Sequence, residues 1–398
     1  MAAGHLQWYG CPVKGRMRLA KPLEMRVEGV PRGQRVELLL DGKHVSGLII
    51  NDLKMRIGRA VVHLGGIGGV HTDRKHRMKG YSRRVCEYAN EYMRKRGYDV
   101  SLLLGIPDFY QKFGFVCCLP VYKLTLTTRI AEQVKPDSRA GRGPSIKVRR
   151  ARKKDFARIR TIYNHEYARR TGTVVRPRSW AGFRMGSSWG SKTITLVATD
   201  RKGQILSYAG FDSRDDAMNV FELAGHPRTY PALVGALARE AVKRRVENMA
   251  FLLPPDDRFA VYARRFGGRL ETTCHYAGGA MSRVINVASL FEKLSPELSA
   301  RLNGSGLAGI QTSFVLKTDI GAVRVTAAKG RVTTSTGTGG KVAVVRLPQQ
   351  RLSQLLFGFR TVADVAREPG VRIPGRLEEL LDVLFPLHWA HVSRPDYF

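Results

Sequence analysis

The sequence predicts a mixed α/β (α+β) chain built from two similar successive units and a third, different segment. Three observations carry this expectation. Strands run into a helix and then a further strand between residues 35 and 127, and the same order returns between 146 and 285. YQKFGF at 110–115 and YARRFGG at 262–268 occupy equivalent places in the two runs, as a duplicated domain would give. The last third instead carries strands first and amphipathic helices afterwards. At about 150 residues per domain, 398 residues suit two or three domains.

In the first unit, RVELLLD and HVSGLII read as strands joined by a turn at Asp41-Gly42, and RAVVHLGGIGGVHT as a longer strand interrupted by glycines. From Lys79 to Arg96 the apolar or aromatic positions Tyr81, Val85, Tyr88, Ala89 and Tyr92 fall at helical spacing, with Gly97 as a C-cap. DVSLLLG reads as a buried strand. A short helix around Asp108–Lys112 and paired strands through Arg129 follow.

The second unit reads as a strand at Ile146–Arg149 and a helix at Lys153–Arg170. Strands follow near Thr193–Ala198, Gln204–Phe211 and Asn219–Ala224, then a helix at Pro231–Arg245, a strand at Met249–Leu253 and a short helix. In the third, IQTSFVLKTD, GAVRVTAAKG and KVAVVRL are strand-like; RLSQLLFGF, TVADVAREPG and LEELLDVLFP are helix candidates. Polar EQVKPDSRAGRGPS and, more softly, NGSG at 303–306 set the expected domains at 1–145, 146–285 and 286–398.

The net charge is +34, divided as +14, +15 and +5 among these segments, and it favours anionic partners. Five cysteines, at 11, 86, 117, 118 and 274, are too few for a disulfide scaffold and show no C-x-x-C or zinc spacing, so no metal is expected. No stretch reaches the ~18 apolar residues of a membrane span, and the first residues lack a signal-peptide core. The expected setting is a reducing cytoplasm.

The sharpest local signal is R77-M-K-G80-Y-S82, placed between a strand and a helix. The first N–H groups of a helix lack intrahelical partners, the helix dipole is positive there, and Gly80 permits close approach of a phosphate. Arg74, Lys75, Arg77, Lys79, Arg83 and Arg84 surround that turn, opposed only by Asp73. The motif is neither a P-loop nor a Rossmann G-x-G-x-x-G. A solvated basic helix start would look the same on this fragment alone. Upstream, G65-G-I-G-G69 suits either a bulge beside a ligand or a kinked strand packed on a helix. Downstream, Tyr110 in D108-F-Y-Q-K-F-G-F115 suits either a cleft hydroxyl or an aromatic core plug.

Together the three pieces resemble the GCN5-related N-acetyltransferase (GNAT) family. There an R/Q-x-x-G-x-G/A loop binds the pyrophosphate of acetyl-CoA, and a later Y-x-x-F/x-G-F/Y element brings a Tyr beside the thiol. Ser82 departs from the final Gly/Ala of that loop. Over its length the chain is similar to the Eis (enhanced intracellular survival) type. That resemblance implies two tandem GNAT-like mixed-sheet domains and an α+β sterol-carrier-protein-like domain, to which RLSQLLFGFRTVADV is similar. GHPRTYPALVGA lacks the pyrophosphate pattern, so the second domain is expected to be structural. A homo-oligomer, hexameric in the family manner, is also implied.

The resemblance further implies direct attack of a small-molecule or lysine amine on the thioester. Val70, His71 and Thr72 would meet the acetyl and pantetheine groups. Met78, Lys79, Gly80, Tyr81, Ser82 and Arg83 would hold the pyrophosphate, and Gly105 and Ile106 would line the cofactor. Tyr110 would be the general acid, and the α-carboxylate of Phe398 the general base. His71 could instead be a base, and Cys117-Cys118 a nucleophile pair, but packing explains either more simply. The N-terminus departs from the type, because MAAGHLQWYGCPVKGRMRLAKPLEMRVEGVP shows no long helical period to wall an acceptor pocket. A cationic acceptor must also overcome the field of the protein. The rival reading is a non-catalytic protein that binds nucleic acid weakly and nonspecifically through 129–160 and Lys243-Arg244-Arg245.

Overall fold

A computed structural model describes residues 22–134, 146–180, 193–214, 217–337 and 339–397. The strands alternate buried and exposed positions where one face is wet and are buried on both faces where helices cover them. In chain order the first elements are β1 (Leu23–Val30), β2 (Gly33–Leu40), β3 (Lys43–Ile57), β4 (Ala60–Thr72), α1 (Tyr81–Lys95), β5 (Val100–Gly105), β6 (Val116–Leu119), β7 (Val121–Thr127) and α2 (Thr128–Glu132). The middle of the chain forms β8 (Lys147–Arg150), α3 (Phe156–Glu166), β9 (Ile194–Thr199), β10 (Ile205–Arg214), β11 (Ala217–Gly225), α4 (Tyr230–Lys243), β12 (Asn248–Phe251), α5 (Arg258–Ala263), β13 (Arg269–Thr273) and β14 (Gly279–Val284). The last part holds α6 (Val287–Asn303), β15 (Thr312–Lys317), β16 (Ala322–Ala328), β17 (Arg331–Ser335), β18 (Ala343–Arg346), α7 (Gln349–Leu356), α8 (Val362–Ala366) and α9 (Glu378–Leu384).

Two of the three sheets trade strands. The first runs β1-β2-β3-β4-β5-β14-β6 and the second β13-β7-β12-β11-β10-β9-β8. Thus β14, from the end of the second repeat, lies between β5 and β6, while β7, from the end of the first, lies between β12 and β13. The expected cuts at 145 and 285 therefore do not separate the sheets. The strands expected to pair through Arg129 do not pair either: β6 and β7 enter different sheets, parted by Pro120, which has no N–H to give a ladder. The third sheet is β17-β16-β15-β18.

Two elements appear where the sequence pattern is silent. β1 pairs with β2 through the turn at Pro31-Arg32 and is mostly exposed, so it carries little apolar alternation. The soft boundary at 286–306 is α6, a helix that contains Pro296 and buries Leu290, Phe291, Leu294, Leu298 and Leu302. α6, α7, α9 and the third sheet share one core with Met55, Val62, Leu64, Val100 and Leu102 of the first sheet. The opposite face of that sheet packs Ile67 and Leu103 on Val85, Ala89 and Met93 of α1. In the second sheet, α4 covers one face and α3 the other.

Candidate active site at the diverging strands

β4 and β5 are parallel neighbours from Leu64–Val100 to Ile67–Leu103, and the pairing stops there. Beyond it no pair joins the two strands, so the ladder has a gap at their C-terminal ends. Directly after the last pair, Leu48 of β3 faces two residues of β4, because Gly47 pairs with His71 and Ile49 with Gly68. The extra residue makes a bulge at Gly69-Val70, with Gly69 at φ +61°. The glycine run thus has two causes. A Cβ on Gly65 would lie 2.2 Å from Met93 Sδ, so that position serves packing on α1, whereas Gly69 serves the bulge.

The turn after β4 is exposed and basic. Arg74–His76 form a 3-10 turn, Met78 adopts φ +62° with a fully exposed side chain, and Gly80 caps α1 at φ +75°. A Cβ on Gly80 would touch nothing within 4 Å, so its backbone angle is what requires glycine. The start of α1 has no side-chain cap and no acidic residue in its first turn, while Lys79, Arg83 and Arg84 are exposed around it. Free N–H groups, the dipole and these cations together favour an anion.

Ser82 shows why the loop tolerates its departure. Its hydroxyl meets Thr72 Oγ1 at 2.6 Å, Thr72 Oγ1 meets Ser46 Oγ at 2.8 Å, and Ser46 donates to the His71 carbonyl at 2.8 Å. With the Ser46 hydrogen committed to a carbonyl, donation runs from Ser82 to Thr72 to Ser46. The chain pins the helix start to β3 and β4. His71 is exposed, stacks on His44 at 4.8 Å, and places Nδ1 2.9 Å from the Gly69 carbonyl.

Across the cleft, Tyr110 lies in a 3-10 turn after β5 and is 7% exposed. Phe109 and Phe115 meet its ring edge-on at 4.9 and 6.3 Å. A Cβ on Gly105 would come within 3.0 Å of Tyr110 Cδ2 and 2.6 Å of Met281 Sδ, so glycine lets the ring close on β5. Burial, and then the nearby Cys86, push the phenol up to about 12. Ile106 is 61% exposed at the cleft mouth. Gly278, just before the borrowed β14, abuts the Gly105 carbonyl.

Val70, His71, Thr72, the 78–83 turn, Gly105, Ile106 and Tyr110 are thus gathered at one end of the first sheet. Phe398 lies outside the described residues. Cys117 and Cys118 are buried, the Cys118 thiol donates to Ser282 Oγ at 2.9 Å, and burial raises both thiols, Cys118 to about 12. Among the described residues no group of His, Cys, Asp or Glu could hold a metal, and no helix is long and apolar enough to cross a membrane.

The second sheet repeats the plan and fills it. β11 and β12 pair in parallel as far as Val220–Phe251, and Phe221 is an extra residue opposite β10, between Gly210–Glu222 and Phe211–Val220. Glu222 is thus the first residue to pair after the irregularity, as His71 is after the bulge of the first sheet. Where the basic turn would be, His226 and a 3-10 turn at Pro227–Thr229 lead into α4, with Thr229 and Tyr230 buried. Glu222 accepts both terminal nitrogens of Arg176, at 2.8 and 2.6 Å, and the Tyr208 hydroxyl at 2.5 Å. Arg176 also donates to Asp396 at 3.0 Å through Nε and Nη2, and Tyr163 donates to Asp396 at 2.9 Å. Sequence reading missed these residues, since nothing local marks them.

Residues 23–118 match the family model of the acetyltransferase (GNAT) domain. Residues 23–118 are therefore a GNAT acetyltransferase domain, a kind that uses acetyl-CoA as co-substrate. Across nearly its whole length the chain has the Eis-like fold. It covers 93% of its own residues and 91% of Eis1 from Mycobacterium abscessus at 17% identity and TM-score 0.63. A GCN5-related N-acetyltransferase from Kribbella flavida matches at 19% identity and TM-score 0.67, over 92% of this chain and 87% of that one. A probable N-acyltransferase of unknown function from Enterococcus faecalis matches at 15% and 0.73, over 92% and 89%. No curated protein sequence matches the chain.

Proposed function

We propose that the chain transfers acetyl from acetyl-CoA to a primary amine in the cleft between β4 and β5. The observation that carries the reading is one juxtaposition: divergence after Ile67–Leu103, the bulge at Gly69-Val70, and the uncapped basic helix start behind Gly80. The pyrophosphate sits on the backbone N–H groups of Tyr81, Ser82 and Arg83, with Met78 contributing backbone only. Pantetheine runs along Val70, His71 and Thr72 opposite Gly105 and Ile106. The Val70 N–H meets the carbonyl oxygen as negative charge develops there.

The amine nitrogen attacks the thioester carbon, the C–N bond forms, the C–S bond breaks, and CoA leaves as a thiolate. A phenol held near 12 keeps its proton at neutral pH, so Tyr110 stabilises that thiolate chiefly by donating a hydrogen bond. The terminal carboxylate of Phe398 takes the amine proton. The shared core with α6, α7 and α9 makes the sterol-carrier-like third domain a packing module in this reading. Acetyl-CoA titrated calorimetrically into the protein should bind, and Gly80→Glu should abolish the signal. No binding by the wild type would overturn the reading. With binding in place, thiol release is measured against a panel of amines in Tyr110→Phe and in a chain lacking Phe398.

A further inference from the structure

A cavity of about 800 Å³ lies where the three parts of the chain meet. One wall is the segment from Asp108 to Cys117, which leads from β5 into β6; a second is His275-Tyr276, in the loop before β14. The third comes from α7 and the residues after it, with Arg351, Phe359, Arg360 and Glu368. Among the described residues, none of those placed at acetyl-CoA above lines this cavity.

Its charged wall holds two arginines on one carboxylate. Arg360 Nη1 donates to Glu368 Oε1 at 2.5 Å and Arg351 Nη2 to Glu368 Oε2 at 3.1 Å. Arg360 also donates to the Asp364 carbonyl at 3.1 Å and Arg351 to Gln354 Oε1 at 3.0 Å, and Gln354 Nε2 donates to the Cys117 carbonyl at 3.1 Å. The run from Glu368 through Arg351 and Gln354 to Cys117 fixes one guanidinium against β6. The Arg360 bond, and then the charge of Arg351, hold the Glu368 carboxyl below its usual range, so it is ionised. Within the cavity the two guanidiniums thus share a single negative charge, and each spends only two of its five N–H donors in these bonds. Lys112 and Asp108 also line the cavity and make no ion pair among the described residues, so three cations stand against two carboxylates.

The other groups ask for a ligand of a particular shape. Phe115 is 2% exposed, Phe359 is half-buried, and Tyr276 is 97% exposed with its ring against no other ring among the described residues. The Cys117 thiol donates to the Gly278 carbonyl at 3.0 Å, which ties the loop of Tyr276 to β6. Gln111 Oε1 and Gln350 Oε1 belong to the lining, are buried and accept no hydrogen bond from the protein. Apolar walls with a few fixed polar groups make a small-molecule site, and buried acceptors left without donors need partners.

We propose that this cavity binds a small organic anion: a carboxylate or phosphate head on the Arg351–Arg360 pair, and a flat apolar body against Phe359 and Tyr276 that carries hydroxyl or amino donors for Gln111 and Gln350. The site is separate from that of acetyl-CoA, although Asp108 and Gln111 flank Tyr110 in the sequence.

The test uses anilinonaphthalene sulfonate, which combines an anionic group, a flat body and one N–H, titrated by fluorescence into the full chain at physiological salt. It should saturate at one molecule per chain, and neutral phenylnaphthylamine should bind roughly 10-fold more weakly or worse. Arg351→Gln and Arg360→Gln should each weaken the sulfonate roughly 10-fold and leave the neutral compound unchanged. Lys243→Gln, a charge removed elsewhere on the surface, and Gly80→Glu, at the phosphate turn, should alter neither. Displacement by hydroxynaphthoate or by naphthyl phosphate would support the site and name its head group; displacement by neither would overturn it. Binding that does not saturate, or equal affinity for the charged and neutral compounds, would overturn it as well. Loss of the signal in Gly80→Glu would place the probe at the cofactor turn and overturn the separate site. The comparison of charged with neutral compound needs no variant, so it decides the matter even if an arginine substitution unfolds the chain.

Discussion

The two mixed sheets meet the same geometric event with opposite chemistry. In each, two parallel strands part beside a bulge, after Ile67 in the first and after Val220 in the second. The first surrounds the gap with backbone N–H groups, exposed cations and a buried phenol. The second closes it with an arginine between two carboxylates and a stretch of its own chain. The turn that follows also differs: R-M-K-G-Y-S sets exposed cations around the helix start, whereas in H-P-R-T-Y-P the residues Thr229 and Tyr230 are buried while His226 and Arg228 stay exposed.

The exchange of β7 and β14 bears on this comparison most strongly, because it makes the open cleft depend on the closed one. β14 pairs on both sides in the first sheet, and Met281, Ser282 and Val284 are buried there. Residues 22–134 produced alone should therefore fail to unfold cooperatively in urea, since β5 and β6 lose their shared partner and β7 loses both of its own. A cooperative transition from that fragment would show that the sheets are separable. Next in size is Arg176→Met. Removing the cation leaves two buried carboxylates facing each other and should cost about 3–5 kcal/mol in denaturant unfolding. A loss under about 1 kcal/mol would mean that the second centre is not closed in the way described.

In the open site, Gly80→Glu should weaken acetyl-CoA binding roughly 100-fold or more by calorimetry. The side chain opposes φ +75° and brings a negative charge to the phosphates. Folding should change little, because nothing packs on that position. Tyr110→Phe should lower kcat roughly 10- to 100-fold, the range of one hydrogen bond to a charged group, with KM for acetyl-CoA nearly unchanged. A shift of KM alone would make Tyr110 a packing residue.

The open site was legible because its parts are close in sequence. The turn from Arg77 to Ser82 and the DFYQKFGF element each carry their chemistry in a few consecutive residues, and the glycine run marks its own bulge. The closed site was not legible. Arg176, Glu222 and Asp396 come from three distant segments, and each reads as an ordinary surface charge until the chain is folded. The strand exchange is equally silent, since VYKLTLT has the same alternation whichever sheet it joins. α6 was hidden by Pro296, which reads as a helix breaker, and the whole helix falls within the stretch 286–306 that read as a soft boundary. The charge excess is partly resolved. Arg149 bonds Asp155, and Arg150, Lys243 and Arg244 gather around Glu240, so the basic run at 149–154 is in part internally paired.

The smallest expected effect sharpens the comparison most finely, because it concerns the one residue at which the open turn departs from the R/Q-x-x-G-x-G/A loop pattern. If Ser82 serves only to pin α1 to β4, Ser82→Ala removes one hydrogen bond to Thr72 and should cost about 1 kcal/mol of stability. Acetyl-CoA affinity should stay within roughly threefold, because phosphate binding draws on the backbone N–H of residue 82, which alanine keeps. The Thr72 hydroxyl still has Ser46 to donate to, so no buried donor is stranded. A larger loss of affinity would assign the Ser82 hydroxyl to the ligand and reverse the donation order through Thr72 and Ser46. A gain in affinity would show instead that the hydroxyl chain holds the helix start slightly away from its best position for the pyrophosphate.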